Sequence, residues 1–291
     1  MAVFVGVHGI GQQYRGGFEL ASMWFDSLRD GLVAAGHDSE ASALTSEDVR
    51  VAFFGDLFRP SDDAMSGGMP PYTADDIPDS GLELELLKAF HSAALEQSPH
   101  LAAQAGAMSL RGTTKQLILS RLAQSPTFVN VAQRLLIGNV KQVSRFLTEE
   151  DLKETVLKRL DQQVGEDTRA LIGHSLGSVV AYEYLCKYQP TQVRTFVTVG
   201  SPLGIPNLIF DRLTPRPASG VGTWPRHVTR WANIADKDDI VALRKDLAGL
   251  FTGPSGAVVE DGLVDNGGEP HAIRPYLNAR LTGGVLHGAL E

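Results

Sequence analysis

One cysteine, Cys186, stands in a chain of 291 residues, so no disulfide forms within it and the fold does not depend on an oxidising compartment. Basic residues are also few, with 26 Lys and Arg against 34 Asp and Glu and a net charge of -8. That balance excludes sequence-independent binding to nucleic acid, which needs a basic footprint. No apolar run approaches the roughly 20 residues that span a bilayer. The first residues, MAVFVGVHG, lack the basic start and long apolar core of a signal peptide and run straight into a strand pattern, so a cytoplasmic soluble protein is expected. No internal repeat, low-complexity tract or linker divides the chain, which points to one domain over residues 1–291.

What is present is an alternation of strand and helix signals. Val3 to Val7 and Val49 to Phe54 read as buried strands, and between them Leu20, Trp24, Leu28 and Leu32 fall on one face of a helix over Phe18 to Val33. Strand, helix, strand implies a right-handed crossover and a parallel sheet. The rhythm breaks over residues 56–148, where no strand is evident. There, a Pro- and Gly-rich loop over Arg59 to Gly81 precedes amphipathic stretches at Leu82 to Glu96, Thr114 to Leu122 and Phe128 to Leu147. This insertion reads as a mainly helical cap.

A helix over Asp151 to Gln163, with Thr148 as its N-cap, restores the alternation. Strands are expected over Ala170 to Ile172, Arg194 to Val199, His227 to Ile234 and Ala257 to Leu263. Short helices are expected near Asn207 to Leu213, over Asp246 to Phe251 and through Tyr276 and Leu277. Cys186, inside the apolar pattern of the helix after residue 175, reads as a small buried hydrophobe.

The chain is organised around Thr168 to Val180, TRALIGHSLGSVV. An apolar strand stops at Gly173-His174-Ser175-Leu176-Gly177 and passes directly into a helix. So tight a turn holds its central residue in a strained backbone conformation, and the flanking glycines remove side chains that would collide with strand and helix. Ser175 is lifted above the sheet edge, with helix N–H groups facing whatever negative charge forms there.

A serine hydroxyl attacks only when an imidazole removes its proton, and the imidazole needs a carboxylate to set its tautomer. In a doubly wound sheet those partners follow the carboxyl ends of strands. Of the three histidines after the serine, His227 begins a strand at the wrong end and His287 lies at the C-terminus, which leaves His271. Among carboxylates, the loop Asp236-Lys237-Asp238-Asp239 follows a strand. Asp239 is preferred because Ile240 and Val241 pin it to the core, with Asp236 as second choice. The loop lacks the glycine and the terminal glutamate of a helix-loop-helix calcium site, and no metal is expected.

The N–H groups of Leu176 and Ile10 are assigned to an oxyanion hole, Ile10 because His8-Gly9-Ile10-Gly11 leaves the backbone clear of bulky side chains. His8, Gly9 and His174 are assigned to substrate contact. A dinucleotide site at Gly9-x-Gly11 is disfavoured, since Tyr14 stands where the third glycine belongs.

VHGIG near the start, GHSLG in the middle, WANIADKDDIV and the later His271 together resemble the α/β-hydrolase superfamily, and within it the lipase and esterase branch. Nucleophile, acid and histidine also follow that family's chain order. The resemblance covers roughly Val3 to Tyr276 outside the insertion. It implies an α/β fold with a mostly parallel sheet of about six strands flanked by helices, because the chain starts on the strand carrying the HG motif and lacks the usual two before it.

The resemblance further implies acyl transfer through a covalent acyl-serine and no cofactor. The expectation is a serine hydrolase acting on a small-molecule carboxylic ester or lipid, with an apolar cap suited to a hydrophobic acyl chain. A peptidase or thioesterase on the same residues is the nearest alternative, and a non-catalytic binding protein of the same fold is one of another class. Docking on a membrane surface through the cap is disfavoured, since its helices are not strongly basic. The oligomeric state stays open.

Overall fold

Short runs of β-branched and aromatic residues, apolar on both faces, pair only inside a sheet that is covered on both sides. The computed structural model, which describes residues 2–59, 72–97, 114–125 and 133–291, contains such a sheet. Its strands are β1 (Phe4–Val7), β2 (Val49–Ala52), β3 (Ala170–His174), β4 (Thr195–Val199), β5 (Arg230–Asp236) and β6 (Glu260–Val264). All six are parallel, in the order β2-β1-β3-β4-β5-β6. β1, β3 and β4 are buried along their whole length, whereas β6 alternates exposed and half-buried residues, as suits an edge.

Chain order reverses at β1. β2 is added on one side of it and β3 on the other, so the crevice at the carboxyl ends lies between β1 and β3. The HGIG loop leaves β1 at this point and the GHSLG turn leaves β3. The fold therefore brings together two loops about 160 residues apart, which is the physical basis for a site there.

Helices cover both faces. On one, α1 (Gly17–Ala34) buries Leu20, Trp24, Leu28 and Leu32 against β1, β3 and β4, joined by Tyr276 and Leu277 of a short helix. The spacing of those four residues carries this packing. On the other face lie α3 (Leu82–Gln97), α4 (Thr114–Leu122), α5 (Gln133–Thr148), α6 (Glu150–Asp161) and α7 (Leu176–Tyr188). Helices α3 to α5 belong to the inserted segment. Their residues Leu87, Leu119, Leu122, Ile137 and Phe146 share one apolar core with β1 and α7. Of the expected stretch Phe128 to Leu147, residues 128–132 lie outside the described residues, as do residues 60–71 of the expected loop.

Several local expectations are corrected. Asp246 to Phe251 forms turns, because the N–H groups of Leu247 and Ala248 bind the Asp261 carboxylate at 2.8–2.9 Å instead of feeding a helix ladder. Thr148 ends α5 with its hydroxyl donating to the Ser144 carbonyl at 2.8 Å, and Glu149 is the N-cap residue of α6. The expected strand at Ala257 to Leu263 begins only at Glu260, and the expected helix at Asn207 to Leu213 shrinks to a 3-10 turn, Phe210–Arg212. Helix α2 (Asp38–Ala43) and the last helix, α9 (Arg280–His287), lay outside the expectations; α8 (Ile273–Leu277) lies between β6 and α9. Cys186 is half-buried, and burial pushes its thiol up to about 12, so it stays protonated.

Candidate active site

The turn after β3 is as tight as its glycines require. Ser175 has φ 53° and ψ -130°, a conformation that a residue with a side chain adopts only under strain. A Cβ on Gly177 would lie 2.1 Å from the Val7 carbonyl oxygen, and one on Gly173 would lie 2.5 Å from the Ser178 Cα. Only glycine lets helix α7 start so close to β1 and β3. Behind the turn, the Ser178 hydroxyl bonds the Ser175 carbonyl at 2.6 Å and shares a hydrogen bond of 2.7 Å with Ser201 at the end of β4.

Three side chains from three loops meet above this turn. Ser175 Oγ lies 3.0 Å from His271 Nε2, and His271 Nδ1 lies 2.7 Å from Asp239 Oδ2. Asp239 is completely buried, on the loop after β5, while His271 precedes α8 and is partly accessible. Burial by itself would raise the Asp239 carboxyl. The charge of His271 and hydrogen bonds from His271, Tyr276 and Val241 outweigh it and hold the group below the ordinary range. A carboxylate kept ionised in this way makes Nδ1 the protonated nitrogen, which leaves the Nε2 lone pair facing the serine hydroxyl.

Asp236, the second-choice acid, does not reach His271. Its carboxylate accepts the Asp238 N–H at 2.7 Å and the Asn266 N–H, tying the end of β5 to the loop beyond β6.

Tyr276 was not singled out by the sequence, yet it joins these loops. Its hydroxyl donates to Asp239 Oδ2 at 2.8 Å and accepts the Asp236 N–H at 2.7 Å. Asp239 Oδ1 accepts the Val241 N–H at 2.8 Å, so both carboxylate oxygens are held. No local sequence pattern marks such a residue; its one clue is a place in the short helix after His271.

Ile10, Leu176, His174, Ser175 and His271 line a common cavity of about 540 Å³. Leu176 is the first residue of α7, so its N–H has no acceptor within the helix. The loop of Ile10 comes close through Gly9, where a Cβ would lie 2.8 Å from the Ser175 Cβ. Gly9 is thus a spacer beneath the serine and does not line the cavity.

His8 is also corrected as a substrate contact. Its Nδ1–H donates to the Gly9 carbonyl at 2.6 Å and its Nε2 accepts the Phe54 N–H at 3.1 Å, so both nitrogens are committed within the fold. His174 faces the cavity but donates Nε2–H to the His271 carbonyl at 3.0 Å, bracing the loop that carries the other imidazole.

Both of these histidines are buried, and burial lowers His8 from 6.5 to about 4 and His174 from 6.5 to about 3. In each case the folded state binds fewer protons than the unfolded state between the two values, so stability rises with pH through that window. Acidification from pH 7 to pH 5 is expected to remove about 2 kcal/mol for each histidine. Urea midpoints at the two pH values check this, and equal midpoints would mean the rings are not held neutral.

The apolar walls of the cavity include Leu86 and Phe90 of α3 and Leu136, Val140 and Val143 of α5. Helices α3 and α5 therefore share this cavity with Ser175. One other group of metal-capable side chains is found among the described residues, His37, Glu40 and His287. The two imidazoles stack face to face at 3.6 Å and 10°, so an ion in the plane of one ring lies far outside the plane of the other. Neither ring lines the cavity. Among the described residues, no helix is long and apolar enough to cross a membrane.

A parallel six-stranded sheet flanked by helices, with a strained serine turn at its switch point, is the α/β-hydrolase fold. Within that class, residues 138–245, from α5 to just past β5, match the family model described as PGAP1-like alpha/beta domain, a serine-esterase-like family of the superfamily. No curated protein and no solved structure matches the chain.

Proposed function

We propose that this protein is a serine hydrolase that cleaves a carboxylic ester through an acyl-serine intermediate. The observation that carries the reading is the continuous hydrogen-bonded row Ser175 Oγ, His271, Asp239, with steps of 3.0 and 2.7 Å, beside a cavity lined by apolar side chains together with Arg15, Glu269 and Arg274. Ser175 Oγ attacks the acyl carbon while His271 Nε2 takes its proton. The tetrahedral oxyanion rests on the N–H groups of Ile10 and Leu176. As it collapses, His271 returns the proton to the leaving alcohol, and water then repeats the sequence to release the acid. Asp239 fixes the tautomer and stabilises the imidazolium.

The match to a serine-esterase-like family supports the same chemistry. Residues 56–148 act as a cap whose Leu and Val side chains receive a hydrophobic chain, within a single α/β-hydrolase unit.

A fluorophosphonate probe tests the reading directly. It is expected to label the folded wild type at Ser175 and to leave the Ser175→Ala variant unlabelled. No labelling of folded wild-type protein would remove the acyl-serine step. Acyl-chain profiling tests the cap: medium or long chains are expected to turn over faster than acetyl esters, since each buried methylene contributes about 0.8 kcal/mol. A preference for acetyl esters would mean the apolar roof is not an acyl pocket.

A further inference from the structure

Two hydroxyls, those of Ser178 and Ser201, stand in line behind the serine turn, and each of their protons has one place to go. The Ser175 carbonyl oxygen can only accept, so the Ser178 hydroxyl donates to it at 2.6 Å. That leaves Ser178 Oγ as the acceptor of the Ser201 hydroxyl at 2.7 Å. Ser201 Oγ in turn accepts the Leu203 N–H at 3.2 Å. Every bond therefore points the same way, from the loop after β4 to the carbonyl of the nucleophile.

That carbonyl matters beyond its own residue. It shares a planar peptide unit with the Leu176 N–H, and in a trans peptide the two groups point in opposite directions. Whatever holds the oxygen therefore aims the N–H. The Ser178 N–H reaches the same oxygen at 3.0 Å, so two donors of one residue grip the plane. The Leu176 N–H, which has no acceptor within α7, belongs to a residue that lines the cavity.

A helical hydroxyl bonded to a carbonyl three or four residues earlier is common, and Ser120, Thr148 and Thr155 do the same here. Ser178 differs in two respects. It receives a second hydroxyl from the loop after the neighbouring strand, and its target is the residue held at φ 53°. Ser178, Ser201 and Leu203 are all buried, so water does not compete for these bonds. In such a site each hydrogen bond polarises the next, and a carbonyl that accepts strongly makes its own N–H a better donor.

Resting on the acyl-serine reading above, we infer that Ser178 and Ser201 are positioning residues for the oxyanion. They fix and polarise the Ser175–Leu176 peptide so that its N–H meets the negative charge as it forms. Ser178 acts on that peptide directly, and Ser201 acts through Ser178.

Ester turnover by Ser178→Ala, Ser201→Ala and the double variant tests this, with rates expressed per serine that a fluorophosphonate labels, so that unfolded protein does not count. Ser178→Ala is expected to lose about 10- to 100-fold in kcat with KM nearly unchanged, less than outright removal of an oxyanion donor. Ser201→Ala is expected to lose about two- to tenfold, the scale of one neutral hydrogen bond. The double variant should match Ser178→Ala, because the two act in series. Inhibition by a trifluoromethyl ketone, whose serine adduct carries an oxyanion, should weaken by the same factors as kcat. A role in packing alone would lower the urea midpoint and leave that affinity in place.

A double variant slowed by the product of the two single losses overturns the serial arrangement. Unchanged kcat in Ser201→Ala does so even where Ser178→Ala does not fold, and unchanged ketone affinity in a slowed variant overturns the oxyanion role. Labelling of the wild type separates the two levels. A labelled enzyme indifferent to both substitutions sinks this inference alone, and an unlabelled one sinks the acyl-serine reading beneath it.

Discussion

Replacing Ser175 by alanine is expected to lower ester turnover by about 10⁶-fold, and His271→Ala by a similar factor, with the double variant no worse than either. In the proposed mechanism the two groups, 3.0 Å apart, move one proton between Oγ and Nε2, so either loss removes the whole step. Independent contributions would instead multiply. Single-turnover rates of the three variants check this, and a double variant much slower than both singles would mean the two side chains do not act as a unit. Some rate above background should persist, because the N–H groups of Ile10 and Leu176 are backbone atoms that the substitutions leave in place.

The second large effect separates two neighbouring carboxylates. Asp239→Asn is expected to lower kcat by about 10⁴-fold with little change in substrate binding. An asparagine amide directed at Nδ1 turns the ring tautomer round, so that Nε2 carries a proton and cannot accept one from Ser175. The Val241 N–H, which donates to Oδ1 at 2.8 Å, favours this orientation because only an oxygen accepts it. The amide oxygen therefore stays at the Oδ1 position and the amide N–H₂ takes the place of Oδ2, facing the imidazole and the Tyr276 hydroxyl.

Asp236→Asn should behave differently. Its carboxylate caps backbone N–H groups of residues 238 and 266. The cost there is expected mainly in stability, about 1–3 kcal/mol, with kcat within about tenfold of wild type. Measured kcat and urea midpoints for the pair decide the matter. A larger loss of kcat in Asp236→Asn than in Asp239→Asn would transfer the orienting role to Asp236.

These two aspartates also show how far the amino-acid order reaches. Asp236 ends β5 and Asp239 lies three residues on, both are buried, and both accept backbone N–H groups, so neither burial nor backbone bonding distinguishes them. Asp239 was preferred on the strength of Ile240 and Val241, which are buried and aim the loop inward. His8 illustrates the opposite outcome. The HGIG motif placed it at the correct strand end, but its ring turned away to hold Phe54 N–H and to stack on the Phe54 ring at 4.0 Å. Strand position is legible in a sequence; side-chain direction at the end of a strand is not.

The sequence alone determined the serine turn, because glycines at residues 173 and 177 are backbone requirements that any fold with that turn must meet. It determined the parallel sheet through the alternation of apolar runs and helical spacing, and it narrowed the histidine by elimination along the chain. Only the tertiary structure decided which carboxylate met that histidine, that Tyr276 held it, and that Gln142 bonded the Gly11 N–H in the loop beside Ser175. The physical reason is distance along the chain. A turn is settled by neighbours within a few residues, whereas Gly11 and Gln142 meet across 131 positions through packing of whole helices on a sheet, which no local pattern encodes.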